Sequence, residues 1–198
     1  ILQCIIGLQL QSAGTIKVFG EEFTKLPEVQ KNLIRRKIGF LFQGGALYDS
    51  MTVRQNLEFP LIRQPDYKKE DLTQKVKDAL ESVGLIDAID KMPSELSGGM
   101  KKRIALARTL MLNPEIILYD EPTTGLDPVT SKEISHLILD MQKKFNVTSL
   151  IVTHDMACAK LVANRIVVLK EGIFTAEGSY VELEKSDDEF VRGFFEFE

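Results

Sequence analysis

The stretch Ile116-Ile117-Leu118-Tyr119-Asp120-Glu121-Pro122 decides how the remaining sequence is read. Its apolar residues are continuous rather than alternating, so Glu115 to Tyr119 reads as a strand buried on both faces. Two carboxylates, Asp120 and Glu121, end that strand. At the carboxyl end of a parallel strand, side chains face the ligand crevice of an open α/β sheet. A first carboxylate there can hold Mg2+ through its waters. A second can accept a proton from an attacking water. An exposed Asp-Glu turn punctuated by Pro122 carries the same letters, so the fragment alone leaves both readings open.

Working outward, Leu96-Ser97-Gly98-Gly99 opens a helix that runs to about Met111 and carries Lys101, Lys102 and Arg103. Ser-Gly-Gly at a helix start leaves backbone N–H groups free and removes side-chain bulk, which suits an anion, although taken alone the letters fit a plain N-cap with a flexible entry better. Downstream, Ile134, Leu137, Ile138, Met141 and Phe145 mark a long amphipathic helix. Val147 to Val152 reads as another buried strand, followed by Thr153-His154-Asp155. His154 can reach the crevice of Asp120, or Asp155 can simply cap a helix. His136 falls on the polar side of its helix. Arg165 to Leu169 and Ile173 to Ala176 read as a hairpin turned at Gly172, and the tail from Ser179 as helical, broken at Gly193.

Upstream, Lys37 to Phe42 reads as a strand leading to Gln43. Thr15 to Phe19 reads as a shorter one. Ile1, Leu2, Ile5, Ile6 and Leu8 form a helical stripe with no start signal before it. Thr52 caps a helix that stops at Pro60, Gln64 to Tyr67 is a polar loop, and Glu70 to Val83 is an amphipathic helix ending at Gly84. Strand–helix alternation in the second half predicts an α/β fold: a mostly parallel sheet flanked by helices. Residues 1–198 form one domain on this reading, with a helical subdomain inserted at about 47–92.

Composition narrows the function classes. The chain has 198 residues; 25 Lys and Arg against 29 Asp and Glu leave a net charge of −4. That balance argues against a general nucleic-acid binder. Apolar residues make up 44% and charged residues 27%, a globular composition rather than a disordered one. No apolar run approaches the roughly 18 residues of a membrane-spanning helix. Cys4 and Cys158 match no metal or disulfide spacing, and reduced cytoplasmic thiols are the expectation.

In order and spacing these motifs resemble the ATPase cassette of ABC transporters, a P-loop NTPase-like fold. Gln43 is similar to that family's Q-loop, Leu96 to Met100 to its signature loop, and Ile116 to Asp120 to Walker B. Glu121 resembles the catalytic carboxylate, Thr124-Gly125-Leu126-Asp127 the D-loop, and His154 the switch histidine. Met100 departs from the Gln common at the fifth signature position. The family's G-x-x-x-x-G-K-[ST] loop is not found in the 198 residues; Gly39 to Gly44 comes nearest, but Gly45 stands where Lys is required. The resemblance implies that roughly 40 residues carrying a strand and that loop precede Ile1. It also implies that a chain starting at Ile1 hydrolyses no ATP.

Around Gln43, the run Phe40 to Leu61 (FLFQGGALYDSMTVRQNLEFPL) resembles the ATPases of Mla/Mce lipid-transport systems, as do Met100 and Val191 to Phe195. The implied assembly is a head-to-tail homodimer around two ATP. It would work with an inner-membrane permease docking near Gln43 to Tyr48 and a periplasmic Mce-type binding protein, with no nucleic acid. It would sit on the cytoplasmic face of the inner membrane. In it, Glu121 and His154 serve catalysis. Gln43, Ser97, Gly98, Gly99, Asp120 and Asp127 serve nucleotide, and Gln43 and Asp120 hold Mg2+, partly through water. Another transport substrate, or a non-catalytic cassette lacking the phosphate loop, stands as the alternative.

Overall fold

A computed structural model describes residues 1–65 and 72–195. The chain begins with α1 (Leu2–Ile5), then a two-residue hairpin of β1 (Lys17–Val18) and β2 (Glu21–Glu22). Both are shorter than the sequence pattern suggests. Gly7 enters the left-handed region at φ +68° and ends the helical stripe before Leu8, which is exposed. Phe19 (φ 52°) and Gly20 (φ 83°) turn the chain back, so the strand expected to reach Phe19 stops at Val18.

After α2 (Glu28–Arg36) come β3 (Ile38–Leu41), α3 (Val53–Ile62) and α4 (Thr73–Ser82). Thr52 caps α3 as expected, in a reciprocal box with Gln55. Pro60 does not stop α3; it lies inside it. Proline removes its own N–H from the ladder and its ring crowds the carbonyl four residues back, a cost that does not by itself end a helix. The final turn closes through Arg63 N–H to Phe59 O (3.3 Å) and Gln64 Nε2 to Pro60 O (2.8 Å). Glu70, where the sequence pattern starts the next helix, lies outside the described residues, as do Asp66 and Tyr67 of the preceding loop; within them α4 begins at Thr73.

The sheet at the centre follows. The chain continues through α5 (Gly98–Leu110), β4 (Ile116–Asp120), α6 (Pro128–Phe145) and β5 (Thr148–Val152). β3, β4 and β5 pair in parallel in that order, with Leu41 opposite Tyr119 and Asp120 opposite Val152. Parallel pairing brings the carboxyl ends of all three strands to one edge. Alternate residues of β4 serve opposite faces. Ile117 and Tyr119 join Leu57, Leu80, Ile104 and Ile138 on one side. Leu118 joins Phe23, Ile34 and Ile38 on the other. The chain thus forms an α/β cassette with helices on both faces of a parallel sheet.

One strand expectation changes. β5 is not buried on both faces: its residues alternate, and Leu150 and Val152 are 40% and 39% exposed. A short apolar run cannot by itself distinguish a covered strand from one with an open face. After α7 (Met156–Val162), β6 (Ile166–Lys170) and β7 (Ile173–Gly178) pair antiparallel, as the sequence pattern predicts. The hairpin turns at Glu171 and Gly172, both left-handed at φ 49° and 81°, the backbone that suits the twist of two strands. α8 (Tyr180–Glu184) and α9 (Glu189–Arg192) finish the described chain.

α5 is the hub. It packs against α3, α4, α6 and β3, and Ile104, Ala105, Leu106 and Ala107 are buried in succession, so its middle has no solvent face. Its first turn is tight. A Cβ on Gly99 would stand 2.6 Å from the Thr130 methyl of α6, whereas one on Gly98 would meet only Leu126 at 3.7 Å. Gly99→Ala is therefore expected to lower stability by about 1–3 kcal/mol, and Thr130→Ser, which deletes the methyl, to restore it. Gly98→Ala should leave the melting temperature unchanged or raise it. Thermal denaturation of the three variants checks this; an unchanged Gly99→Ala would overturn the packing argument.

Candidate functional site

Four candidate residues gather at the carboxyl edge of the sheet. Gln43 lies two residues beyond β3 and is exposed. Asp120 ends β4, Glu121 follows it, and His154 lies two residues beyond β5. Glu121 is the most constrained of them. Its backbone is left-handed at φ 48°, a conformation that costs a side-chain-bearing residue roughly 1–2 kcal/mol. Its N–H donates to Val152 O at 2.9 Å, which stitches the turn to the end of β5.

The Glu121 carboxylate is held from three sides. His154 Nδ1 is 2.9 Å from Oε1, while the hydroxyls of Thr124 and Thr153 donate to Oε2 at 3.1 and 3.4 Å. The carboxylate bond and charge raise the pKa of His154 above its ordinary value of 6.5. Asp155, beside it, accepts from Thr123 at 2.7 Å and caps α7 through Cys158 N–H. The capping reading of Asp155 and the crevice reading of His154 are thus compatible.

The sequence reading missed Lys102. It stands in a charged run, Lys101-Lys102-Arg103, yet its side chain is buried at 5% exposure. Its ammonium donates to the backbone oxygen of Gln43 and to that of Glu121 (3.1 Å). Burial lowers its pKa, and the charges of Asp120 and Glu121 oppose that shift. Six residues on, Arg108 donates to the carbonyls of Gly45 and Ala46, both at 2.8 Å. Gly45 and Ala46 are left-handed in succession (φ 76° and 48°). The available signal was the spacing: Lys102, Ala105 and Thr109 fall on one stripe of α5, and that stripe meets β3 and its loop.

Ser97, Gly98, Gly99 and Asp127 form a second group. Ser97 caps α5, accepting from Met100 N–H at 3.3 Å. Asp127 caps α6, accepting from the N–H groups of Val129 and Thr130 (3.0 Å each) and the Thr130 hydroxyl (2.6 Å). Gly98 borders Leu126 and Gly99 borders Thr130, so the starts of α5 and α6 lie side by side. Ser97, Gly98 and Asp127 are exposed. No hydrogen bond among the described residues joins this group to the Glu121 carboxylate. His136 is exposed on α6, with Nδ1 2.8 Å from Lys132 O.

The donor set can be tested against a magnesium–nucleotide. Asp120 is half-buried, and no hydrogen bond among the described residues reaches its carboxylate. No three His, Cys, Asp or Glu side chains among the described residues converge as a metal cage. Mg2+ needs no cage: one or two carboxylates suffice where waters and phosphate oxygens complete the shell. Asp120 and the neighbouring Gln43 loop fit that pattern.

A family model described as ABC transporter matches residues 1–124. The chain belongs to the ABC transporter family. A methionine import ATP-binding protein MetN of Carboxydothermus hydrogenoformans is 39% identical over 178 residues, 90% of this chain and 52% of that protein. MetN 2 of Bacillus cereus is 34% identical over 197 residues, 97% and 58% respectively. The chain thus spans about half the length of these curated relatives. Among solved structures, a dimeric post-hydrolysis state of the ATP-binding cassette MJ0796, bound to ADP and Pi, has a TM-score of 0.80 at 32% identity. It covers 90% of this chain and 78% of that one. The cbiO1 protein of Clostridium perfringens, part of an ABC transporter complex, also gives 0.80 at 30% identity, covering 90% and 70%. The MetN proteins and MJ0796 are named as ATP-binding proteins or cassettes.

The His154–Glu121 pair generates a titration prediction. A raised folded pKa means the charged pair is present below pH 6.5 and is lost as pH rises through the raised value. Glu121→Gln should lower the His154 pKa toward 6.5, as read by NMR titration of its imidazole. An unmoved His154 would show that the carboxylate does not hold it.

Proposed function

We propose that this protein is the ATP-hydrolysing subunit of an ABC transporter. The observation that carries the reading is the gathering of Gln43, Asp120, Glu121 and His154 at one sheet edge, with Ser97, Gly98 and Asp127 exposed on a separate face. Glu121 orients an attacking water and accepts its proton, and its left-handed turn holds the carboxylate in place for that. Asp120 and Gln43 hold Mg2+, partly through water. The ion, when bound, offsets charge on the phosphate oxygens. His154 steadies Glu121 and can donate to a phosphate oxygen. Most of the rate enhancement in such a site comes from positioning and charge.

The second group of residues fits a composite site. Ser97 and the N–H groups of Gly98 and Gly99 grip phosphate across a head-to-tail dimer, and Asp127 lies at that junction. The dimeric state of the similar cassette MJ0796 supports this arrangement. A membrane permease docks near Gln43 to Tyr48. No helix among the described residues is long and apolar enough to cross a membrane, which fits a peripheral subunit on the cytoplasmic face of the inner membrane. The segment 47–92 is the helical subdomain on this reading.

For the cargo, the relatives favour the alternative over the lipid reading. MetN is named for methionine import, so a small amino-acid-like solute with its own binding protein is better supported than phospholipid with an Mce-type partner. The lipid reading rests on the run Gly45 to Val53, on Met100 and on the tail Val191 to Phe195. Reconstitution with the co-purifying permease separates them: uptake of methionine into vesicles supports the first, transfer of labelled phospholipid the second.

In the whole protein, Glu121→Gln is expected to reduce ATP turnover at least about 100-fold while preserving ATP binding and accumulating an ATP-bound dimer in gel filtration. Ser97→Arg is expected to preserve binding by the monomer and abolish that dimer. Normal turnover in the first variant, or persistent ATP-dependent dimers in the second, would overturn these roles.

A further inference from the structure

We infer that Lys102 is a positioning residue that ties the Gln43 loop to the Glu121 turn, so that the two sides of the hydrolytic centre keep one geometry. The inference rests on the proposed ATPase reading and adds a residue to it.

Three observations carry it. The ammonium is buried, a costly place for a cation unless hydrogen bonds repay it. Its two acceptors are backbone oxygens from loops 78 residues apart in sequence, those of Gln43 and Glu121, and no other side chain among the described residues donates to both. Both acceptors belong to chain that leaves a strand end and could otherwise drift: Glu121 is left-handed, and the loop after Gln43 becomes left-handed at Gly45 and Ala46. Arg108, from the same helix, holds those last two carbonyls. α5 therefore grips the Gln43 loop at two points and the Glu121 turn at one. Since Ser97 to Gly99 open the same helix, a displacement of that helix start is carried to both loops by one rigid element.

The role is positional rather than catalytic. The ammonium faces carbonyls, not the crevice, so its removal should loosen the water-orienting carboxylate without removing a phosphate contact. Misplacing a catalytic group by about 1 Å costs on the order of 100-fold in rate.

The test measures ATP hydrolysis by the whole protein, with melting temperature recorded for each variant. Lys102→Met is expected to lower kcat about 10- to 100-fold with KM for ATP within about twofold of wild type. Lys102→Arg, which keeps a buried cation with several donors, is expected to recover most of kcat. Combining Lys102→Met with Glu121→Gln should cost no more than Glu121→Gln alone, because both act through the same carboxylate. Should Lys102→Met fail to fold, Lys102→Leu, which likewise carries no donor, takes its place with the same expectation. A folded variant without the cation that retains wild-type kcat would overturn the inference. So would a loss confined to KM, a fully additive double variant, or failure of every substitution including Lys102→Arg to fold, which would make Lys102 a purely structural tie. Absence of hydrolysis in the wild-type protein would instead sink the ATPase reading itself.

Discussion

Everything at this site depends on β4 being covered on both faces. A strand flanked by β3 and β5 and sandwiched between two apolar clusters has no room for charged side chains along its covered middle. Asp120 and Glu121 are therefore its first charged residues, and parallel pairing puts the ends of β3 and β5 beside them. The site is a consequence of strand direction: three strands leaving one edge must all turn there, and each turn carries a candidate side chain. Glu121 N–H bonded to Val152 O links two of those turns directly.

That edge holds its shape through cations supplied from below. α5 is buried through its middle and donates Lys102 and Arg108 to carbonyls that leave the sheet. A buried ammonium bonded to two carbonyls resists sliding of either loop, because breaking one bond leaves charge without a partner in a poorly solvated place. The left-handed residues at Gly45, Ala46 and Glu121 are thus held by specific bonds rather than by their own preference. The strain is local, and so is its compensation.

Much of this was legible in the sequence, for identifiable reasons. The run Ile116 to Tyr119 carries burial in its composition, and Ser97, Thr52 and Asp155 each cap the helix their side chains suggest. What was not legible depends on distant partners. Whether Val147 to Val152 is covered depends on what packs beside it, not on its own letters. Pro60 sits in a last turn closed by the Gln64 side chain, an outcome that proline alone does not specify. Lys102 looks like one of three surface charges until α5 is seen to bury it. The Phe40 to Leu61 run suggested a lipid system, but sequence around a docking loop reports on a partner surface, and the relatives align across nearly the whole chain.

The two groups of polar residues make different demands on the fold. The Glu121 group is bonded internally and is tied to α5 through Lys102. The Ser97 and Asp127 group is exposed, and its side chains satisfy only their own helix caps. A cap that accepts from backbone N–H groups still leaves the first donors of α5 directed at solvent. An arrangement with a rigid carboxylate centre on one face and an open donor surface on another, joined by a single buried helix, suits a reaction that begins only when the second face meets its complement. The close approach of Gly99 to Thr130 fits that division, since it locks the two exposed helix starts to each other and lets them move as one surface. Coupling between the faces then needs no chain of intermediate contacts. It needs only that α5 be stiff and that its two cations hold, which places the mechanical burden of the cassette on residues that touch no nucleotide.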